Sequence, residues 1–152
     1  MVEVFTIAPA SPKPLWVFAA IAVFLLALLL LFGFFAYASR ATRFELSSEG
    51  LAIRRTMYGR TIPWSSLNTD DAGVVNLQQA PHLRPRWRSN GIGLPGYQAG
   101  WFRLREGRGL LFVTDPTRVV ALPTREGYTL LLSVRDPEAF VQAIRRAKPG
   151  RS

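Results

Sequence analysis

A stretch with no charged residue, Leu15 to Ala38, decides most of what this chain can become. Its 24 residues include the run Leu25-Leu26-Ala27-Leu28-Leu29-Leu30-Leu31. A helix rising about 1.5 Å per residue makes such a stretch roughly 36 Å long, against a hydrocarbon core of about 30 Å. One crossing with some tilt fits, and a hairpin of two spans does not. Trp16 at one end, with Phe34, Phe35 and Tyr37 at the other, suits the aromatic belts of the two interfaces. Pro9, Pro12 and Pro14 keep the approach non-helical until about Lys13. Ala36-Tyr37-Ala38 has the small-residue look of a signal cleavage site, but signal h-regions run only about 7–15 residues. The sequence therefore predicts a single uncleaved pass over 15–38, after an N-terminal tail of residues 1–14.

Charge bias orients the pass. Before it stand Lys13 and the α-amine, opposed by Glu3; beyond it come Arg40, Arg43, Arg54 and Arg55. The positive-inside rule places the C-terminal domain in the cytoplasm, at the cytoplasmic membrane, with a short tail outside. Of 19 Lys and Arg only Lys13 precedes residue 39, and of 10 Asp and Glu only Glu3 does, so the formal net charge of +9 sits on the C-terminal part. A basic domain tethered to a membrane is attracted to anionic headgroups. The ordinary alternative is a soluble surface that is simply rich in arginine. With no cysteine and one histidine, His82, neither a disulfide framework nor a thiolate or His-based metal site is expected.

After Arg43 the pattern turns to short β-like runs separated by turn residues. Phe44–Ser47 and Leu51–Arg55 flank Ser48-Glu49-Gly50 as a first hairpin. Thr61–Pro63 follows Tyr58-Gly59-Arg60, and Ala72–Leu77 makes a further run. Gln78 to Gly100 reads as a long irregular stretch, with Asn90-Gly91 and Pro95-Gly96 as turns. Trp101–Arg105, Leu110–Thr114, Val119–Leu122 and Tyr128–Ser133 complete the strand candidates. At the end the period changes. Asp136 is placed as an N-cap, Pro137 at the first helical position and Glu138 in the first turn. Phe140, Val141 and Ile144 then fall at helical spacing, with Arg145, Arg146 and Lys148 near the end and Pro149-Gly150 as the stop. The expected architecture is one transmembrane helix, then an all-β sandwich or barrel of about seven short strands capped by a C-terminal helix. The domain is expected over residues 43–147, with 148–152 as a tail.

The order of these parts resembles the bacterial pleckstrin-homology-like domains. The resemblance rests on Phe44-Glu45-Leu46 through Leu51–Arg55, Ile62-Pro63-Trp64-Ser65-Ser66-Leu67, and Gly91–Tyr97 with Gly100-Trp101-Phe102. Leu111–Asp115 and Asp136–Val141 close it. Many such families pair the domain with two spans, whereas this chain has room for one. The resemblance implies a binding or scaffolding module without catalytic residues, and it does not imply phosphoinositide binding.

No motif here supports chemistry. Gly91, Gly93 and Gly96 spell the dinucleotide fingerprint G-x-G-x-x-G, which works only between a strand and a helix N-terminus. Here Arg86–Asn90 precedes it and Pro95 lies within it. Asp70-Asp71 lacks a third ligand, and His82 has no nucleophile elbow to serve. The chain is expected to be no enzyme and to use no cofactor. The stretch from His82 to Arg88 sets three arginines around Trp87, with Arg103, Arg105 and Arg108 soon after. Arg84, Arg86, Trp87, Arg88, Arg103 and Arg105 are the candidate contact residues. Basic residues interleaved with an aromatic suit headgroups, with Trp87 at the interface, and suit a protein or nucleic-acid partner less well. A plain solvated loop is the bland reading of the same stretch. The alternative function is an accessory subunit of a membrane complex, its helix packing through Gly33, Ala36 and Ser39.

Overall fold

The computed structural model describes residues 2–148. The expected stop at Pro149-Gly150 and the rest of the expected tail lie outside the described residues. The chain divides into two compact units between Ala38 and Ser39.

Helix α1 (Lys13–Ala41) takes the last of the prolines, Pro14, into its first turn, where the Leu15 amide donates to the Pro12 carbonyl at 3.0 Å. It continues three residues beyond the expected Ala38. It is long and apolar enough to cross a membrane, and none of its residues is buried within the chain.

Among its described residues the second unit holds nine strands in two sheets and one long helix. Strands β1 (Arg43–Leu46), β2 (Gly50–Arg54) and β3 (Thr61–Pro63) form an antiparallel sheet in that order. The larger sheet contains β4 (Gly73–Val75), β5 (Pro85–Leu94), β6 (Tyr97–Leu104), β7 (Arg108–Val113), β8 (Val119–Pro123) and β9 (Tyr128–Leu132). Its order is β4-β8-β9-β7-β6-β5, antiparallel except for the pair β7–β9. Helix α2 (Pro137–Ala147) follows.

The main core lies between the sheets and α2. Leu51, Ile53 and Ile62 from the small sheet meet Leu110, Phe112, Leu130 and Leu132 from the large one, with Val141 and Ile144 from α2. Trp64 seals one side, its indole N–H donating to the Ser47 carbonyl at 2.9 Å. Helix α2 starts as the sequence indicates: the Asp136 carboxylate accepts from the Ala139 amide at 3.1 Å, and Pro137 opens the first turn. The far face of the large sheet carries a second apolar cluster of Leu77, Phe102, Leu104, Leu111, Val113, Val119, Ala121 and Leu131. Segment 76–84 straps this face, with Leu83 packed onto the cluster and the Leu77 amide donating to the Pro116 carbonyl at 2.8 Å.

One expectation is corrected. Residues 78–100 are not irregular: after the strap, β5 and β6 form a long hairpin through Pro95-Gly96, where Gly96 takes a positive φ of 76°. Asn90-Gly91, expected as a turn, lies inside β5. Gly91 stands opposite Gly100 in register, and a Cβ on Gly91 would meet the Ala99 carbonyl oxygen at 2.5 Å. These glycines serve a close approach of two strands, not a reversal. With β5 added to the eight runs singled out from the sequence, the described residues hold nine strands where about seven were expected.

Candidate functional site

Four of the six candidate residues lie in the β5–β6 hairpin, whose pleat sorts them, and Arg84 and Arg105 flank its open end. Residues opposite each other on paired strands share a face, and consecutive residues alternate. Trp87 stands opposite Arg103, and Arg88 stands opposite Phe102 on the other face. Arg86 is the extra residue of a bulge between Pro85 and Trp87. Its guanidinium lies over the Trp87 ring, 5.8 Å from the centroid. At 57% exposure Trp87 is, with Met57, one of the two large apolar side chains that the described domain leaves open to solvent. Strand β5 runs along the edge of the six-stranded sheet, and residues 86–90 are all exposed.

Arg84 and Arg105 belong to a different neighbourhood. With Pro81, Pro85 and Arg86 they line an open cleft of about 360 Å³ beside the start of β5. Arg84 is fastened there: its Nε donates to the Leu77 carbonyl at 2.9 Å and its Nη2 to the Gln78 carbonyl. Two of its donors thus fix the strap, while Arg86 and Arg105 point charge at the same cleft without an ion pair among the described residues. The structure therefore splits the candidates into a cleft group of Arg84, Arg86 and Arg105, a facing pair of Trp87 and Arg103, and Arg88 on the opposite face.

A second cluster escaped the sequence. Trp101, two residues before Arg103 and on the same face, packs edge-on against Tyr128 with centroids 5.0 Å apart. Over its ring lie two guanidinium groups, Arg60 at 5.3 Å and Arg108 at 5.8 Å from the centroid. Arg108 in turn stands opposite Arg103. Arg60 comes from the loop between β2 and β3, far from Trp101 in sequence, so no local spacing announces the contact.

The arrangement suits anion binding by positively charged side chains on aromatic platforms. Among the described residues no three His, Asp or Glu side chains gather as metal ligands. Asp70 pairs with Lys148 at 3.1 Å, and Asp71 accepts from the Asn68 amide group. Gly91 and Gly93 lie in β5 and Gly96 in the hairpin turn, so the G-x-G-x-x-G spacing opens no helix.

A family model described as "Bacterial PH domain" matches residues 42–148. No curated protein and no solved structure matches the chain.

Proposed function

Because this chain belongs to the bacterial PH domain family, we propose that it is a membrane-anchored, non-enzymatic module that meets anionic lipid headgroups or a protein partner. The family supports a non-catalytic interaction role. The observation that carries the rest is the edge of β5: an exposed Trp87 flanked by Arg86 and Arg88 and faced by Arg103, with no carboxylate partner among the described residues. An indole has an apolar body and a polar N–H, which suits it to the water–lipid boundary. Each neighbouring arginine adds roughly 1 kcal/mol near an anionic surface. In this reading helix α1 serves as the anchor, and the charge bias across it supports a domain on the cytoplasmic side.

The domain alone, residues 39–152, tests the headgroup reading against vesicles of graded phosphatidylglycerol content. Binding is expected to rise with the anionic fraction and to collapse between low and high salt, because exposed charges are screened over about 10 Å at 0.1 M. The double substitution Arg86→Ala and Arg88→Ala, and Trp87→Ala separately, each weaken it. Binding that ignores salt, or none at any lipid composition, sinks this reading and leaves a protein partner.

A further inference from the structure

Two arginines lie over one tryptophan and a third stands across the strand from one of them, and none of the three has an ion pair among the described residues. Arg60 and Arg108 both lie over the Trp101 ring, so their guanidinium carbons are no more than about 11 Å apart. Arg103 and Arg108 are directly opposite in register on β6 and β7. Side chains so placed have Cβ atoms about 5 Å apart, and like charges in that position repel. The ion pairs among the described residues are Arg54–Glu45, Arg118–Glu138 and Lys148–Asp70, and none involves these three. Among the described residues neither Glu106 nor Glu126 forms an ion pair, and Glu126 accepts from the Ser66 hydroxyl at 3.0 Å.

All three arginines are exposed, so water screens much of their mutual repulsion, and an anion seated among them would remove what remains. Cation–π contact returns only about 0.5–1 kcal/mol at exposed sites. Trp101 is half-buried and held by Tyr128, so it gives the guanidinium groups a fixed wall. From these observations we infer that Arg60 and Arg108 on Trp101, with Arg103 across the strand from Arg108, form a binding site for a phosphate group. Guanidinium forks match phosphate oxygens in pairs, and a phosphate monoester carries about −1.5 to −2 charge at pH 7 with three acceptor oxygens. One such group answers three arginines, where a carboxylate answers one. The phosphate belongs either to a lipid headgroup or to a free ion. The site deepens the reading of the domain as an anion-directed interaction module, but it uses residues distinct from Arg86 and Arg88.

The full chain in neutral maltoside micelles, labelled with ¹⁵N at tryptophan, tests it. Its four tryptophans give separate indole N–H signals for Trp87 and Trp101. Two probes are titrated: inorganic phosphate against chloride at matched ionic strength, and phosphatidic acid against phosphatidylcholine doped into the micelles. The Trp101 signal is expected to shift saturably with one phosphate probe. Arg60→Ala and Arg108→Ala are each expected to weaken the response at least fivefold, while Arg125→Ala leaves it unchanged. Saturation by the inorganic ion assigns a free phosphate, and saturation by phosphatidic acid alone assigns a headgroup. A Trp101 signal that follows neither probe, that moves equally with chloride, or that still shifts in the double Arg60→Ala, Arg108→Ala chain overturns the site. The wild-type titration needs no variant to fold. A response at Trp87 without one at Trp101 overturns this site and leaves the broader reading standing.

Discussion

Arg145, near the end of α2, donates through Nη2 to the carbonyl oxygen of Ala72 at 2.7 Å, joining the last helix to the start of β4. Ala72 is buried, so its carbonyl has little access to water in place of this donor. A hydrogen bond to a charged group contributes about 1.5–3 kcal/mol, and the cost is largest when the partner left behind stays buried. Arg145→Met keeps the apolar stem and removes the donor. It should lower domain stability by about 1–2 kcal/mol, at the low end because the guanidinium is partly solvated. A denaturant titration followed by far-UV dichroism reads the loss, and an unchanged midpoint would show that water replaces the contact.

Gly100 carries a harsher constraint. Its φ is +110°, and a Cβ there would meet the Gly91 Cα at 2.6 Å and the Asn90 carbonyl oxygen at 2.7 Å. Both contacts are backbone, so neither can swing aside. Gly100→Ala should cost at least about 2 kcal/mol, from backbone strain together with the clash. It should also detach β5 from β6. Hydrogen exchange of the amides in 86–94 would rise in the variant, and protection equal to wild type would refute the expectation.

The Arg118–Glu138 pair makes a pH prediction. The hydrogen bond from Arg118 holds the Glu138 carboxyl below the ordinary glutamate value of 4.5. A carboxylate with a depressed folded value contributes stability above the unfolded value and loses it as pH falls through the folded one. The pair should therefore help α2 at neutral pH and fade below about pH 4.5. Because both groups are exposed, the effect should shrink in high salt. NMR titration of the Glu138 carboxyl should give a midpoint below the usual value in the native chain and near it in Arg118→Ala.

The proposed orientation can be read without background labelling, since the chain has no cysteine. Ser11→Cys should react with a membrane-impermeant maleimide in intact cells. Arg125→Cys, exposed on the domain, should react only after the cells are opened. The reverse pattern would place the domain outside.

Much of this fold was legible because the informative residues lie close together in sequence. An apolar run gave α1, and the cap, proline and acid at 136–138 gave α2, each from contacts within a few positions. The β1–β2 pair was legible from alternation around Gly50. Strand β5 was not. Five consecutive exposed residues, a bulge at Arg86 and glycines at 91 and 93 erase the period-two signal that identifies a strand. The candidate site followed the same rule. Arg86, Trp87 and Arg88 are neighbours in the chain, so a sequence pattern singles them out, whereas Arg60, from a loop of one sheet, meets Trp101, on a strand of the other. Nor does an arginine in sequence disclose that its donors are already engaged, as those of Arg84 are by the carbonyls of the strap.

The parallel pairing of β7 with β9 has a consequence in time. Strand β9 is made after β8 yet lies between β8 and β7, so it is the piece that joins β5-β6-β7 to β4-β8. A nascent chain not yet grown through Leu132 holds two half-sheets, each ending in an apolar edge with unmet backbone groups. Such edges attract other chains as readily as their own missing strand. During synthesis this domain is most exposed to misassembly in the interval before Tyr128–Leu132 leaves the ribosome, and a chaperone that shields it then need only recognise an open strand edge.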